Sequence, residues 1–360
     1  MVRRRVLLRA LVGGTGAAVL GAVCGAPTGL PKASVRRYRI GALIQRVAQC
    51  EHAGEYVVAD GAAVKTVQTR PVNSDFCFIE GLMLEALEKR GYRQGENLEW
   101  IVASPADYLA TGVADFIAPA KALQAIRVDI IGTSNSNSTA AAAQITTTTP
   151  IVLASSNDIL DTGLVASLAH PGGNITGISG RLVDITAKRF ELLKETFPWV
   201  KSPILVYGNF APHLRNLEAA LEAGRRLGLS AVAILVTGDG TDFMAKAKRT
   251  LDDGSDSLVA MGTPGPPEQI VPIVKERRVP AIFGTEFGFL EAGAPVGYGT
   301  SLDAPTFAEY ADRIFKGANP GDLPIVAPKS FELVVNLKAA EALGFTIAPS
   351  VLARATRLIK

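Results

Sequence analysis

Short apolar runs alternate with longer stretches in which apolar residues recur every three or four positions, from Tyr38 almost to the carboxyl end. Residues 38–44 (YRIGALI) form a continuous run bounded by polar residues, the pattern of a strand buried on both faces. In 76–92, Phe76, Ile79, Leu82, Met83, Ala86 and Leu87 fall near one helical face, and Gly91 supplies a stop. Strands at 98–103, 128–131 and 150–153 follow, separated by helices at 118–126 and 140–145, the latter opened by Ser136 or Ser138 as cap. The second half repeats the design. Helices are predicted at 187–197, 214–227, 243–251, 270–277 and 305–315, and strands at 203–207, 231–236, 257–261, 280–283 and 296–298, with a strand-to-helix unit at 331–344. Strands alternating with helices predict α/β architecture with parallel sheets covered on both faces.

Two stretches break the pattern. Residues 45–74 show no helical face and scattered Gly, Asp and Asn, so they read as an insertion loop, far longer than an ordinary strand-to-helix connection. Residues 156–179 (SNDILDTGLVASLAHPGGNITGIS) also lack an apolar face. They open with Ser156, Asn157 and Asp158 just past a strand, where open α/β sheets place ligand contacts. This stretch divides the chain into halves of similar design, and we read it as a crossing between two lobes with a ligand cleft between them.

A chain of 360 residues with 48% hydrophobic and 20% charged content accommodates two globular domains. The formal charge of +3 misleads. Four of the 37 Lys and Arg residues (Arg3, Arg4, Arg5 and Arg9) lie in a leader without acidic residues, leaving 33 bases against 34 acids. A nucleic-acid partner therefore has no electrostatic support. Residues 1–26 read as an export signal, with Arg4-Arg5-Val6-Leu7-Leu8-Arg9 close to the twin-arginine pattern, and an ordinary secretory signal as the alternative. Cys24 is a further candidate, for lipid attachment, although Val23 is bulky for such a site. Residues 27–37 form a linker. Cys50 and Cys77 then remain. In an oxidising compartment they either pair, closing a loop of 26 intervening residues, or stay as free thiols.

Catalytic and metal signatures are sparse. His52, His170 and His213 are scattered, and His170 before Pro171-Gly172 reads as a surface turn residue. There is no Cys-x-x-Cys pair, nucleophile elbow or Walker loop, and Gly14-Thr15-Gly16 lies in the leader without a preceding strand. No enzyme, metal or cofactor is expected. What recurs instead is short polar residues at strand ends: Thr133 and Ser134, Ser155 to Asp158, Asn209, Thr263, and Thr285 with Glu286. Helix-start N–H groups beside them suit a ligand carboxylate, and Asp158 or Glu286 suits a ligand ammonium. Singly, each also reads as a helix cap or turn residue.

Several segments together resemble bacterial periplasmic solute-binding proteins of ABC transporters over about residues 38–358. They are DILDTGLVASLAHPGGNITGIS from Asp158, KRFELLKE from Lys188, KGANPGDLP from Lys316, FELVVNLK from Phe331, and the run from Leu343 to Ala355. The resemblance implies a type I periplasmic-binding fold: two doubly wound Rossmann-like lobes joined by three crossings near Ser155, Glu291 and residues 323–326. The lobes are then 38–155 with 292–323, and 156–291 with 324–360. By matching position, the cleft loops fall at Thr133-Ser134, Ser156-Asn157-Asp158, Asn209-Phe210, Thr263 and Thr285-Glu286-Phe287. The implied role is a monomeric periplasmic receptor that delivers an amino-acid-like or other carboxylate ligand to an inner-membrane ABC permease. The alternative is a ligand-sensing module for a membrane signalling partner. Two departures from the family pattern stand out: the long 45–74 segment, and Ser156-Asn157-Asp158-Ile159 in place of a Gly-Asp-Pro-like turn.

Overall fold

The computed structural model describes residues 36–44, 54–60, 63–69, 78–105, 116–154, 158–209, 211–237, 240–285, 288–300 and 303–360, with 54–60 and 63–69 described by their backbone. The leader, Cys50, Cys77, Ser156, Asn157, Phe210, Glu286 and Phe287 lie outside the described residues.

The first lobe is built from β1 (Tyr38–Leu43), β2 (Gly54–Asp60), β3 (Ala63–Thr69), α1 (Phe78–Glu88), β4 (Leu98–Ala103), α2 (Ile117–Ala125), β5 (Ile130–Thr133), α3 (Ser136–Ile145), β6 (Ile151–Leu153) and β7 (Ile175–Gly177). Its five-stranded sheet runs β4-β1-β5-β6-β7 with every neighbour pair parallel. The apolar runs that announced these strands are buried on both faces, as parallel strands under crossover helices must be.

The second lobe contains α4 (Leu182–Thr196), β8 (Pro203–Gly208), α5 (Ala211–Arg226), β9 (Val232–Val236), α6 (Thr241–Asp252), β10 (Ser257–Ala260), α7 (Pro267–Arg277), β11 (Ala281–Phe283) and β12 (Val296–Thr300). The chain then returns to the first sheet as α8 (Ala304–Phe315), whose Phe307, Tyr310 and Phe315 join Ile40, Trp100 and Ile130 in one core. It ends in the second lobe with β13 (Phe331–Asn336), α9 (Leu337–Leu343), α10 (Pro349–Arg354) and β14 (Arg357–Ile359). The second sheet is seven-stranded, β14-β13-β12-β11-β10-β8-β9, with only β13 against β12 antiparallel. Separate apolar clusters form in this lobe, one around Phe190, Leu193 and Val335 and the other around Phe243, Ile270 and Phe283. Burying each such side chain contributes roughly 1.5–3 kcal/mol.

The crossings differ from the expected ones. Residues 175–177 pair with β6, so the chain leaves the first sheet after Gly177 rather than near Ser155. A three-residue strand in a Gly/Asn/Thr-rich stretch has no period to read. Likewise β12 pairs with β11 and β13, so the second passage follows Thr300 rather than Glu291. The third passage starts beside the first: Val326 N–H donates to Gly177 O and Ser179 N–H to Val326 O, both at 3.0 Å. Lys329 then reaches back to the second passage, donating to Thr306 Oγ1 at 2.6 Å and lying 3.7 Å from the buried carboxylate of Asp303, which caps α8.

The 45–74 segment is not featureless. It contains β2 and β3 as an antiparallel hairpin, registered from Gly54↔Thr69 to Asp60↔Ala63, with its backbone against β4 and α2. Asp60-Gly61 between two runs rich in β-branched residues is a hairpin signal that the search for helical faces overlooks.

Candidate functional site

All three passages join the lobes at the carboxyl ends of parallel strands in both sheets, so those ends face the interlobe gap. This places Ser134 on one edge and Asn209, Thr263 and Thr285 on the edge opposed to it. On the first lobe, β5 ends at Thr133. Its hydroxyl lies 2.8 Å from that of Thr139 and its side chain is 1% exposed, so Thr133 braces the interior. Ser134 is half-buried beyond it. The cap of α3 is neither Ser136 nor Ser138 but Asn135. Its Oδ1 accepts Ser138 N–H at 2.8 Å, while Ser138 Oγ takes Asn135 N–H, forming a reciprocal capping box. The N-terminus of α3, with its partial positive charge, therefore lies at this edge.

Asp158 occupies the left-handed region, with φ of 50°. Its Oδ2 accepts Leu182 N–H at 3.0 Å, and its own N–H donates to Gly180 O. Ser179 Oγ accepts Ile159 N–H at 3.1 Å. Asp158 is therefore tied to the first passage as the cap of α4. This explains why α4 starts at Leu182 rather than at 187: Arg181 makes no side-chain cap, and the carboxylate arrives from 24 residues upstream. Burial pushes the Asp158 carboxyl above its ordinary value, with the Leu182 hydrogen bond opposing it.

On the second lobe, Asn209 follows β8, Thr263 follows β10 and Thr285 follows β11. These strands are neighbours in the order β11-β10-β8, so three short polar side chains rise from adjacent strand ends. Asn209 is exposed, and the two threonines are half-buried.

Two buried basic residues that the sequence reading left aside lie beneath this edge. Arg189 of α4, 2% exposed, donates from Nε to Tyr298 O at 2.7 Å and from Nη1 to Ala260 O at 2.9 Å and Gly262 O at 3.0 Å. His213 of α5, 3% exposed, accepts Gly208 N–H at Nδ1 (3.0 Å). Burial pulls its pKa down to about 4, the Gly208 contact opposing and the nearby Arg189 charge reinforcing the shift. It is thus neutral at pH 7, with Nε2 protonated. The sequence did carry a signal for Arg189: it shares the buried helical stripe with Ile185 and Leu193, four residues either side.

The His170-Pro171-Gly172-Gly173-Asn174 cluster is elsewhere. It precedes β7, at the sheet end opposite the gap. Asn174 Nδ2 holds Thr146 O and Thr149 O, and Gly172 N–H donates to Gly321 O at 3.2 Å. A Cβ on Gly321 would lie 2.7 Å from Gly173 O, so these segments meet backbone to backbone. His170 is exposed in that turn. The 156–179 stretch is therefore not one cleft loop: its start borders the first passage and its middle is structural.

Among the described residues, no cluster of three or more His, Cys, Asp or Glu could hold a metal, and no helix is long and apolar enough to cross a membrane. A family model described as ABC transporter substrate binding protein matches residues 74–359. A tyrosine-binding protein of Clostridioides difficile is 23% identical over 272 residues, covering 72% of this chain and 74% of that protein. Among solved structures, a conserved domain protein from Vibrio cholerae aligns with a TM-score of 0.72 and 24% identity, over 90% of this chain and 100% of that one. An ABC domain from Streptococcus pneumonia in complex with L-Trp aligns with a TM-score of 0.71 and 20% identity, over the same shares of each chain. These neighbours share the two-lobed type I periplasmic-binding fold.

Proposed function

The chain belongs to the ABC transporter substrate-binding protein family, and from that membership we propose that it captures an amino-acid-like ligand between its lobes and delivers it to a membrane permease. Family and neighbours are substrate-binding transport proteins, so the role is solute binding rather than chemistry. The observation that carries the reading is the opposition of two polar strand-end edges across one gap. Ser134 and the N-terminus of α3 stand on one side, with Asn209, Thr263 and Thr285 on the other. A helix N-terminus suits a carboxylate, and short hydroxyl and amide groups suit the rest of a zwitterion. The tyrosine-binding relative and the neighbour solved with L-Trp make aromatic amino acids the first candidates. The basic, charge-poor leader supports export, with delivery taking place outside the cytoplasmic membrane.

A ligand touching both edges favours the closed arrangement only by the contacts it gains there, and the passages are where the backbone must give. The test is native mass spectrometry of mature protein recovered from the host's periplasm, followed by a thermal-shift panel of the twenty amino acids and their amides. Ligand at a hundredfold excess over Kd adds about 2.7 kcal/mol of stability, which is readily visible. The expected result is a large shift with one or a few amino acids and little with their amides. A panel without any shift would remove the amino-acid assignment.

A further inference from the structure

We propose that Arg189 is a positioning residue for the ligand site, fixing the second lobe's strand ends so that Thr263 and Thr285 stand ready before a ligand arrives. This rests on the amino-acid reading above and goes beyond it by assigning a role to a residue buried behind the gap.

The argument starts from cost. Arg189 is held within a stripe of α4 that otherwise buries Leu182, Ile185, Phe190 and Leu193. A leucine or methionine there would bury comparable apolar volume without desolvating a cation, and a buried charge is weak evidence for stability, although removing Arg189 alone takes a donor from the carbonyls it holds. Stability alone is therefore a poor account of an arginine at this position. What a guanidinium supplies instead is a rigid planar fork of donors. Here the fork spans two strands that are not neighbours: Nη1 holds Ala260 O and Gly262 O at the end of β10, and Nε holds Tyr298 O on β12. In the sheet order β12-β11-β10, it straddles the end of β11, the strand that leads to Thr285.

The surroundings follow the fork closely. A Cβ on Gly299 would sit 3.7 Å from Arg189 Nη2 and 3.0 Å from Thr285 Oγ1, so guanidinium and threonine close on the same glycine. His213 completes the arrangement from α5. Its Nδ1 holds Gly208 at the end of β8, and its Nε2 would lie 2.4 Å from a Cβ on Gly262, whose φ of 60° already requires glycine. The strand ends carrying Asn209, Thr263 and Thr285 are thus held from behind by two side chains on two helices. Rigid support of this kind removes the ordering cost that a loose loop would impose on binding.

The test uses the full mature protein and three variants, Arg189→Met, Arg189→Lys and Phe190→Leu. The last is a core control on the same helix. Melting temperature is measured for each, together with affinity for the amino acid that best stabilises the wild type and for its amide. The expected result is an Arg189→Met protein that is less stable, three carbonyls having lost their donor, and that binds about tenfold or more weakly, a loss of affinity on the scale of one or two misplaced hydrogen bonds. Its discrimination between acid and amide should persist, because the α3 N-terminus on the first lobe faces the carboxylate. Arg189→Lys should recover part of the affinity, and Phe190→Leu should lose stability while keeping affinity and discrimination. Wild-type affinity in Arg189→Met, or a loss matched by Phe190→Leu, would overturn the assignment. If Arg189→Met fails to fold, Arg189→Lys against Phe190→Leu decides by the same criterion. A wild type that binds no amino acid would sink the functional reading first, and this assignment with it.

Discussion

His213 sets one term in how the second lobe meets acid. Its pKa in the folded protein is lowered by burial to about 4, against an ordinary 6.5. As pH falls, the unfolded chain therefore takes up this proton first. The stability from keeping His213 neutral is complete above about pH 6.5, declines through the interval below, and is gone near pH 4. The slope within that window approaches about 1.4 kcal/mol per pH unit. His213→Gln should flatten it, as urea midpoints at pH 7, 5.5 and 4.5 would reveal. Asp158 makes a different prediction. Because its carboxylate caps α4, Asp158→Ala should cost about 1 kcal/mol and Asp158→Asn less, since an amide oxygen still accepts the Leu182 N–H. Denaturant midpoints of the two variants give the order directly. Neither role is legible locally. Asp158 stands beside a turn in the sequence, and only folding brings it onto a helix that starts 24 residues later.

At the level of elements, the two glycine-rich signatures are partners. Gly172 and Gly173 have φ of 69° and 64°, and the Gly321 Cα lies against their backbone. Gly321→Val should therefore destabilise by roughly 1–3 kcal/mol through overpacking. Ligand affinity should not change, because the contact sits at the sheet end away from the gap. A drop in affinity larger than the drop in stability implies would contradict that separation. The β2–β3 hairpin, like β1, lies before residue 74, where the family match starts. It belongs to neither large sheet, whereas β1, which precedes it, is flanked by β4 and β5. Replacing 50–72 by a short Gly/Ser linker should leave a cooperative fold, with loop-closure entropy changing by less than about 1 kcal/mol. Circular dichroism and a thermal melt would check it; loss of the cooperative transition would make the hairpin part of the core.

At the scale of the whole molecule, two lobes joined by three passages have one obvious large motion, a change in the angle between them. Ligand should therefore reduce the radius of gyration in small-angle scattering, and a tight ligand without compaction would count against capture by closure. Lys329 links the third passage to Asp303 on the second, so Lys329→Met should change affinity for every ligand by a similar factor and leave their ranking intact. By itself the sequence determined the fold class, most strands and helices, and the strand-end positions of Asn209, Thr263 and Thr285. Buried parallel strands and amphipathic helices write their burial into local periodicity, and strand ends follow from strands. Only the tertiary structure decided that 175–177 belongs to the first sheet, that Asp158 serves α4, that Thr133 turns inward, and that Arg189 and His213 support the site. Residues 175–177, Asp158 and Arg189 take partners 24 or more residues away, and the helical stripe that Arg189 shares does not name the carbonyls it holds. Thr133 and His213 bond within six residues, but their burial is set by the elements packed over them.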